Sequence, residues 1–171
     1  LIVLIGVSVF LFRDKLSPAA LGGSDSAVTI SSGEPFTYET GSKQLFALMG
    51  DSLAIASTTG LQILDASGKT VVREVFSMTS PAVCAGSDVC AFFDVGGKSL
   101  RIFQNKESHN LDREQAITAV TVSSGGYFAV TGDETGYKGS VTVLGPALDP
   151  VYKWYSGTDY PLDAAVSPDN S

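Results

Sequence analysis

An all-β fold built from repeated four-stranded units and led by an apolar anchor is what the sequence predicts. Three observations predict it. From residue 28 onward, short runs of alternating apolar residues are broken by Gly, Asp and Ser. No stretch there keeps a 3.6-residue apolar period for a dozen positions, so helices are not expected in that part. The composition agrees: the 171 residues include 18 Gly and only 17% charged residues, with Val, Thr and Ser abundant, a balance that suits half-buried strands.

The anchor comes first. Leu1 to Phe12 carry no charge, and Arg13-Asp14-Lys15 follows at once. Twelve helical residues cover about 18 Å, short of the roughly 30 Å hydrocarbon core of a bilayer. Residues 1–16 therefore read as the second half of a transmembrane helix, the element through which the chain would meet a membrane. Two other readings stay open. A cleaved signal peptide wants small residues soon after the apolar region, where this chain has charges. A buried strand or core helix also tolerates Val and Ile runs. An amino-terminal-inside topology would make this a single-pass membrane protein with its folded part extracytoplasmic. Residues 17–27, Ser-Pro-Ala-Ala-Leu-Gly-Gly-Ser-Asp-Ser-Ala, have linker composition. Residues 28–171 form the repeat domain, opening with the strand candidate Val28-Thr29-Ile30-Ser31.

Each element of the first unit can be read in turn. Leu45–Met49 is a strand, Gly50-Asp51-Ser52 a turn, and Leu53–Ser57 the returning strand. Thr58-Thr59-Gly60 turns the chain into Leu61–Asp65, and Ala66-Ser67-Gly68-Lys69 turns it into Val71–Phe76. The second unit runs Ala82–Cys84, a turn at Gly86-Ser87-Asp88, Val89–Phe93, a turn at Gly96-Gly97-Lys98, and Ser99–Phe103. The polar stretch Gln104–Gln115 then holds the outer turn and a ragged fourth strand. The third unit runs Ile117–Val122, Tyr127–Thr131, Ser140–Leu144 and Val151–Tyr155. A fourth begins at Leu162–Val166, with Ser167-Pro168-Asp169 at its turn.

The first hairpin turns fall near residues 51, 88, 126 and 169, at intervals of 37, 38 and 43 residues. A period near 40 with four strands per unit is the mark of propeller blades. Each small sheet has two apolar faces, and stacking on a neighbour covers them. The expected fold is thus a partial β-propeller, about three four-stranded blades plus the start of a fourth, preceded by a transmembrane helix. The strand at residues 28–31 could act as a ring-closing clasp.

Chemistry is sparse. The net charge is −7, and −8 once residues 1–16 with Arg13, Asp14 and Lys15 are set aside. So acidic a body repels phosphate backbones and argues against nucleic acid as a partner. The one histidine, His109, sits in the polar stretch and reads as a solvated loop residue. With it alone, no multi-histidine metal site can be built. No Gly-x-Ser-x-Gly elbow occurs. Gly97-Lys98-Ser99 echoes a phosphate loop, but Phe92 stands where the leading glycine belongs and no helix is expected to follow. Asp133-Glu134-Thr135-Gly136 reads as an acidic turn without the spacing of a calcium loop. Asp163 and Asp169 read as turn caps. Cys84 and Cys90 flank a hairpin turn and sit diagonally in the expected register, as free thiols or a cross-strand bridge. No catalytic residues, metal ligands or cofactor are expected, and the chain reads as a non-enzyme.

One feature points to binding. Tyr152, Trp154, Tyr155 and Tyr160 form the main aromatic cluster. On a strand Tyr152 and Trp154 share one face while Tyr155 takes the other. Packing between blades and a binding surface for a peptide or glycan both fit.

Several phrases carry a family likeness. Val120–Val130 and Ala165–Asp169 resemble the inner hairpin of WD-type blades, and Gly60–Lys69 the outer turn of quinoprotein-type blades. The Gly-His and Trp-Asp pairs of WD repeats do not occur. The order of anchor, Arg-Asp-Lys-Leu-Ser-Pro linker, Gly96–Ile102 and Tyr152–Ser156 resembles a family of bacterial single-pass membrane-anchored, propeller-like proteins with no assigned activity. That resemblance implies architecture and an envelope location, with an envelope protein as partner, and implies no reaction. The expectation is a membrane-tethered binding or scaffold module. Its alternative is part of an envelope enzyme or sensor whose site lies in other blades.

Overall fold

The computed structural model describes residues 41–167. Twelve strands fill this span, arranged as three four-stranded antiparallel sheets. The first holds β1 (Leu45–Met49), β2 (Ser52–Ser57), β3 (Gly60–Leu64) and β4 (Thr70–Val75). The second holds β5 (Pro81–Ala85), β6 (Cys90–Asp94), β7 (Leu100–Gln104) and β8 (Glu107–Asn110). The third holds β9 (Ile117–Val122), β10 (Phe128–Gly132), β11 (Gly139–Leu144) and β12 (Pro150–Ser156). In every sheet the strands pair in chain order, so each connection is a short hairpin.

Local chemistry sets these turns. Asp65 accepts the Ser67 and Lys69 amides at 2.9 and 3.0 Å, closing the third turn of the first sheet. Asn105 and Lys106 both adopt positive φ, 53° and 66°. This is the two-residue loop whose twist matches the flanking strands β7 and β8. Gly60 has φ +135°, and a Cβ there would lie 2.0 Å from the Glu74 carbonyl oxygen. Only glycine lets β3 start so close to β4.

Two cores hold the sheets in succession. Ala54, Ala56, Leu61 and Ile63 of the first sheet meet Cys90, Phe92 and Phe103 of the second. Ala91, Phe93, Leu100 and Ile102, on the opposite face of the second sheet, meet Val120, Phe128, Val130 and Leu144 of the third. In each interface the leading sheet offers small residues on its second strand, Ala54 and Ala56 or Ala91. The following sheet fills the space with a phenylalanine, Phe92 or Phe128, both fully buried. At about 25 cal/mol per Å2 of apolar surface removed from water, such interfaces are what a narrow sheet needs to be stable.

The links between sheets repeat as well. After β4, Phe76 and Met78 donate their amides to Thr59 and Thr58 at 3.2 and 3.1 Å. After β8, Arg113 and Ile117 donate to Lys98 and Gly97 at 2.8 and 2.7 Å. Each link thus folds back over the second turn of its own sheet. The next sheet holds it from the other side: Asp94 accepts the Thr79 and Ser80 amides at 2.9 and 2.6 Å. Arg101 adds a side-chain tie. It lies over the Phe76 ring at 4.7 Å, 3.7 Å from Glu74, and donates to Asn110 and Asp112.

Three expectations change. Residues 161–167 form no strand, although Leu162–Val166 reads as the first strand of a fourth unit. The segment instead runs beside β9, where the Thr121 hydroxyl donates to the Ala164 carbonyl at 2.5 Å. A strand exists by ladder pairing, and no described strand pairs with this segment. The ragged strand within the polar stretch is regular: β8 pairs residue for residue with β7. His109 accordingly stands opposite Ile102 in a strand, half-buried, and is not a solvated loop residue. The transmembrane helix of residues 1–16, the linker 17–27, the strand at 28–31 and the turn at Pro168-Asp169 lie outside the described residues. Among the described residues no helix is long and apolar enough to cross a membrane.

Candidate binding surface

β12 is the outer edge strand of the third sheet, and all its residues but Ser156 are exposed. Its register with β11 sets Tyr152 opposite Val143, Trp154 opposite Val141, and Tyr155 opposite Ser140. Tyr152 and Trp154 therefore share the face that no described sheet covers. Tyr155 shares the other face with Lys153, toward the second sheet. Tyr160 follows the strand. The four rings are 59, 45, 43 and 66% exposed for Tyr152, Trp154, Tyr155 and Tyr160.

Two of the rings have polar or aromatic neighbours. Tyr155 lies 4.7 Å from the Tyr137 ring at a tilt of 33°, with the Lys153 ammonium 4.9 Å from its centre. Lys138 Nζ sits 4.9 Å from the Tyr160 ring centre and donates to its hydroxyl at 3.3 Å. Such contacts fix amphipathic rings with one edge wet, the state in which Tyr and Trp serve as contact residues.

Below this edge lies a polar cleft of about 430 Å3 between the link 112–117 and the third sheet. Lys153 Nζ and Glu134 form an ion pair at 2.6 Å, and the Ser140 hydroxyl donates to the same Glu134 oxygen at 3.1 Å. The Lys153 hydrogen bond holds the Glu134 carboxyl below its usual range, helped by the Ser140 hydroxyl and the nearby Arg113 charge. The same bond raises the Lys153 ammonium above its own range. Arg113 Nη2 donates to the Thr142 hydroxyl at 3.3 Å. Gln115 Nε2 donates to Thr135 at 3.0 Å, closing one side. Among the described residues no group of three His, Cys, Asp or Glu side chains is placed to hold a metal ion.

A profile described as a family of unknown function, DUF5711, matches residues 28–171. The chain belongs to that family. Among solved structures, Hsv2p of Kluyveromyces lactis is similar, with 16% identity and a TM-score of 0.40 over 59% of this chain and 36% of that one. The chain thus spans about a third of that protein's length. A search of curated proteins gives no match.

In this DUF5711 chain, Cys84 and Cys90 are free. Cys84 registers with Ala91, so Cys90 points to the opposite face. Cys84 packs in the core with the third sheet and Cys90 in the core with the first. The cross-strand bridge is thereby corrected: the two sulfurs lie on opposite sides of one sheet. The Asp133-Glu134 turn is visible in the sequence; its companions Arg113, Ser140, Thr142 and Lys153 are not. No local motif joins them, because they come from one link and two strands.

Proposed function

We propose that this chain is a bacterial, membrane-tethered, propeller-like module that binds an envelope protein and carries out no reaction of its own. Three four-stranded sheets packed in succession support the propeller reading. The uncharged run Leu1 to Phe12 supports the tether, which would place the folded part on the extracytoplasmic side. The observation that carries the binding reading is β12, a seven-residue edge strand. It displays Tyr152, Trp154 and Tyr155, with Tyr160 beside it. Aromatic side chains on a rigid strand offer a large contact area at little entropic cost, and so anchor protein interfaces.

A second reading has its own observation. The equivalent faces of the first two sheets are each covered by the sheet that follows, so the Tyr152–Trp154 face suits a further stacked sheet. Tyr155 and Tyr160 stand outside that face and separate the two readings. A photo-crosslinking residue at position 155 or 160 of the full chain in its native membrane should give one discrete adduct with an envelope protein. The adduct should vanish in Lys138→Ala, and the same probe at Glu107 on β8 should give none. No adduct at 155 or 160, or identical adducts at all three positions, overturns the binding reading.

A further inference from the structure

The cleft below β12 is more than a gap between packed sheets. Its ion pairs leave a definite remainder. Arg101 takes Asp112, and Lys153 takes Glu134. The side chain of Arg113, half-buried in the cleft wall, donates to Thr142 at 3.3 Å; its charge reaches Glu134, but it forms no ion pair with a carboxylate among the described residues. Asp133 and Glu114 line the same cleft, are exposed, and have no cationic partner there. Ser140 lines the cleft from a buried position on β11, its hydroxyl on Glu134, and the buried Thr142 hydroxyl holds the Arg113 guanidinium.

These leftovers have opposite signs and different depths. A guanidinium offers five donors in a fork that matches a carboxylate. The carboxylates at the mouth match an ammonium. A volume of about 430 Å3 lies within the range of small-molecule sites. A simple anion would meet Arg113 but also the field of Glu134, Asp133 and Glu114. A simple cation would find Asp133 and Glu114 but leave Arg113 facing it. A small zwitterion satisfies both ends.

We propose that the cleft lined by Arg113, Ser140, Asp133 and Glu114 binds a zwitterion of amino-acid to dipeptide size, its carboxylate on Arg113 and its ammonium on Asp133 and Glu114. This site is separate from the aromatic edge and does not depend on it.

Glycylglycine, acetate and methylammonium, titrated by calorimetry into the full chain in detergent, test the assignment. Glycylglycine should bind saturably, about tenfold or more tighter than either half-ligand, since each end contributes a charge-assisted hydrogen bond. Arg113→Gln should weaken glycylglycine about tenfold or more and abolish the acetate response. Asp133→Asn, in an exposed turn, should weaken glycylglycine and leave acetate equal or tighter, because it removes a charge that repels the anion. Arg113→Lys keeps the charge without the fork and should fall between wild type and Arg113→Gln. Circular dichroism identifies any variant that fails to fold, and Asp133→Asn carries the test if Arg113→Gln does. No saturable glycylglycine binding, binding no tighter than acetate, or binding indifferent to Asp133→Asn overturns the proposal.

Discussion

Thr131 shows how much one atom decides. It sits in the row Ala119–Thr131–Val141–Trp154 across the third sheet, fully buried, and its Oγ1 has no hydrogen-bond partner among the described residues. A buried hydroxyl without a partner costs about 1–3 kcal/mol of desolvation. Thr131→Val is therefore expected to raise stability by about 1 kcal/mol, read as a higher denaturant midpoint at unchanged slope. The cysteines make the second residue-scale case. Burial pushes both thiols up, from an ordinary 9.0 to about 12. A thiol reagent at about pH 8 should modify neither in the folded chain and both after denaturation. The folded value lies above the unfolded one, so the stabilisation is complete below about pH 9. It is lost as the pH rises toward about 12 and the unfolded thiols ionise. Denaturant midpoints measured across that alkaline range should fall, and the double variant Cys84→Ala with Cys90→Ala should flatten the decline. The sequence placed these two residues one hairpin apart. It did not place them on opposite faces, because a register offset of one residue reverses a side chain.

The strands themselves were legible wherever apolar residues alternate. The boundaries expected for β1 to β7 and β9 to β12 lie within two residues of those observed. β8 was only half legible. Its Glu-Ser-His-Asn carries no apolar alternation, and it forms because Asn105 and Lys106 accept positive φ and β7 offers an open edge. The tie made by Arg101 was not legible at all, since its partners Glu74, Phe76, Asn110 and Asp112 belong to two sheets and two links. Arg101 is only 15% exposed in its side chain, so its loss leaves two carboxylates unpaired against the interface. Arg101→Met is expected to cost about 2 kcal/mol, the scale of hydrogen bonds to charged groups. Glu74→Gln should cost under about 1 kcal/mol, as a longer contact to a partly exposed carboxylate does. Equilibrium unfolding of the two variants should separate them in that order.

At the scale of the molecule, the period near 40 residues announced the repeat, and the structure turns it into a physical rule. Each of the first two sheets offers a face of small residues to a phenylalanine on the sheet that follows, and the two links are each clasped between the second turns of successive sheets. Hydrophobic alternation reveals strands and their count, so that much could be read directly. The cleft could not be read, because Arg113, Asp133, Ser140, Thr142 and Lys153 meet only after β8 to β12 have stacked. The aromatic edge lay between the two cases: its residues were named, but two of its rings face the open side of the sheet and one the covered side.

The succession of sheets is the claim on which the propeller reading, the aromatic edge and the cleft all stand. Methyl-to-aromatic nuclear Overhauser contacts in the full chain test it most directly. Methyls of Ala54, Ala56 and Ile63 should connect to Phe92, and methyls of Ala91 and Ile102 should connect to Phe128. Contacts from first-sheet methyls to Phe128, or none between sheets, would contradict it.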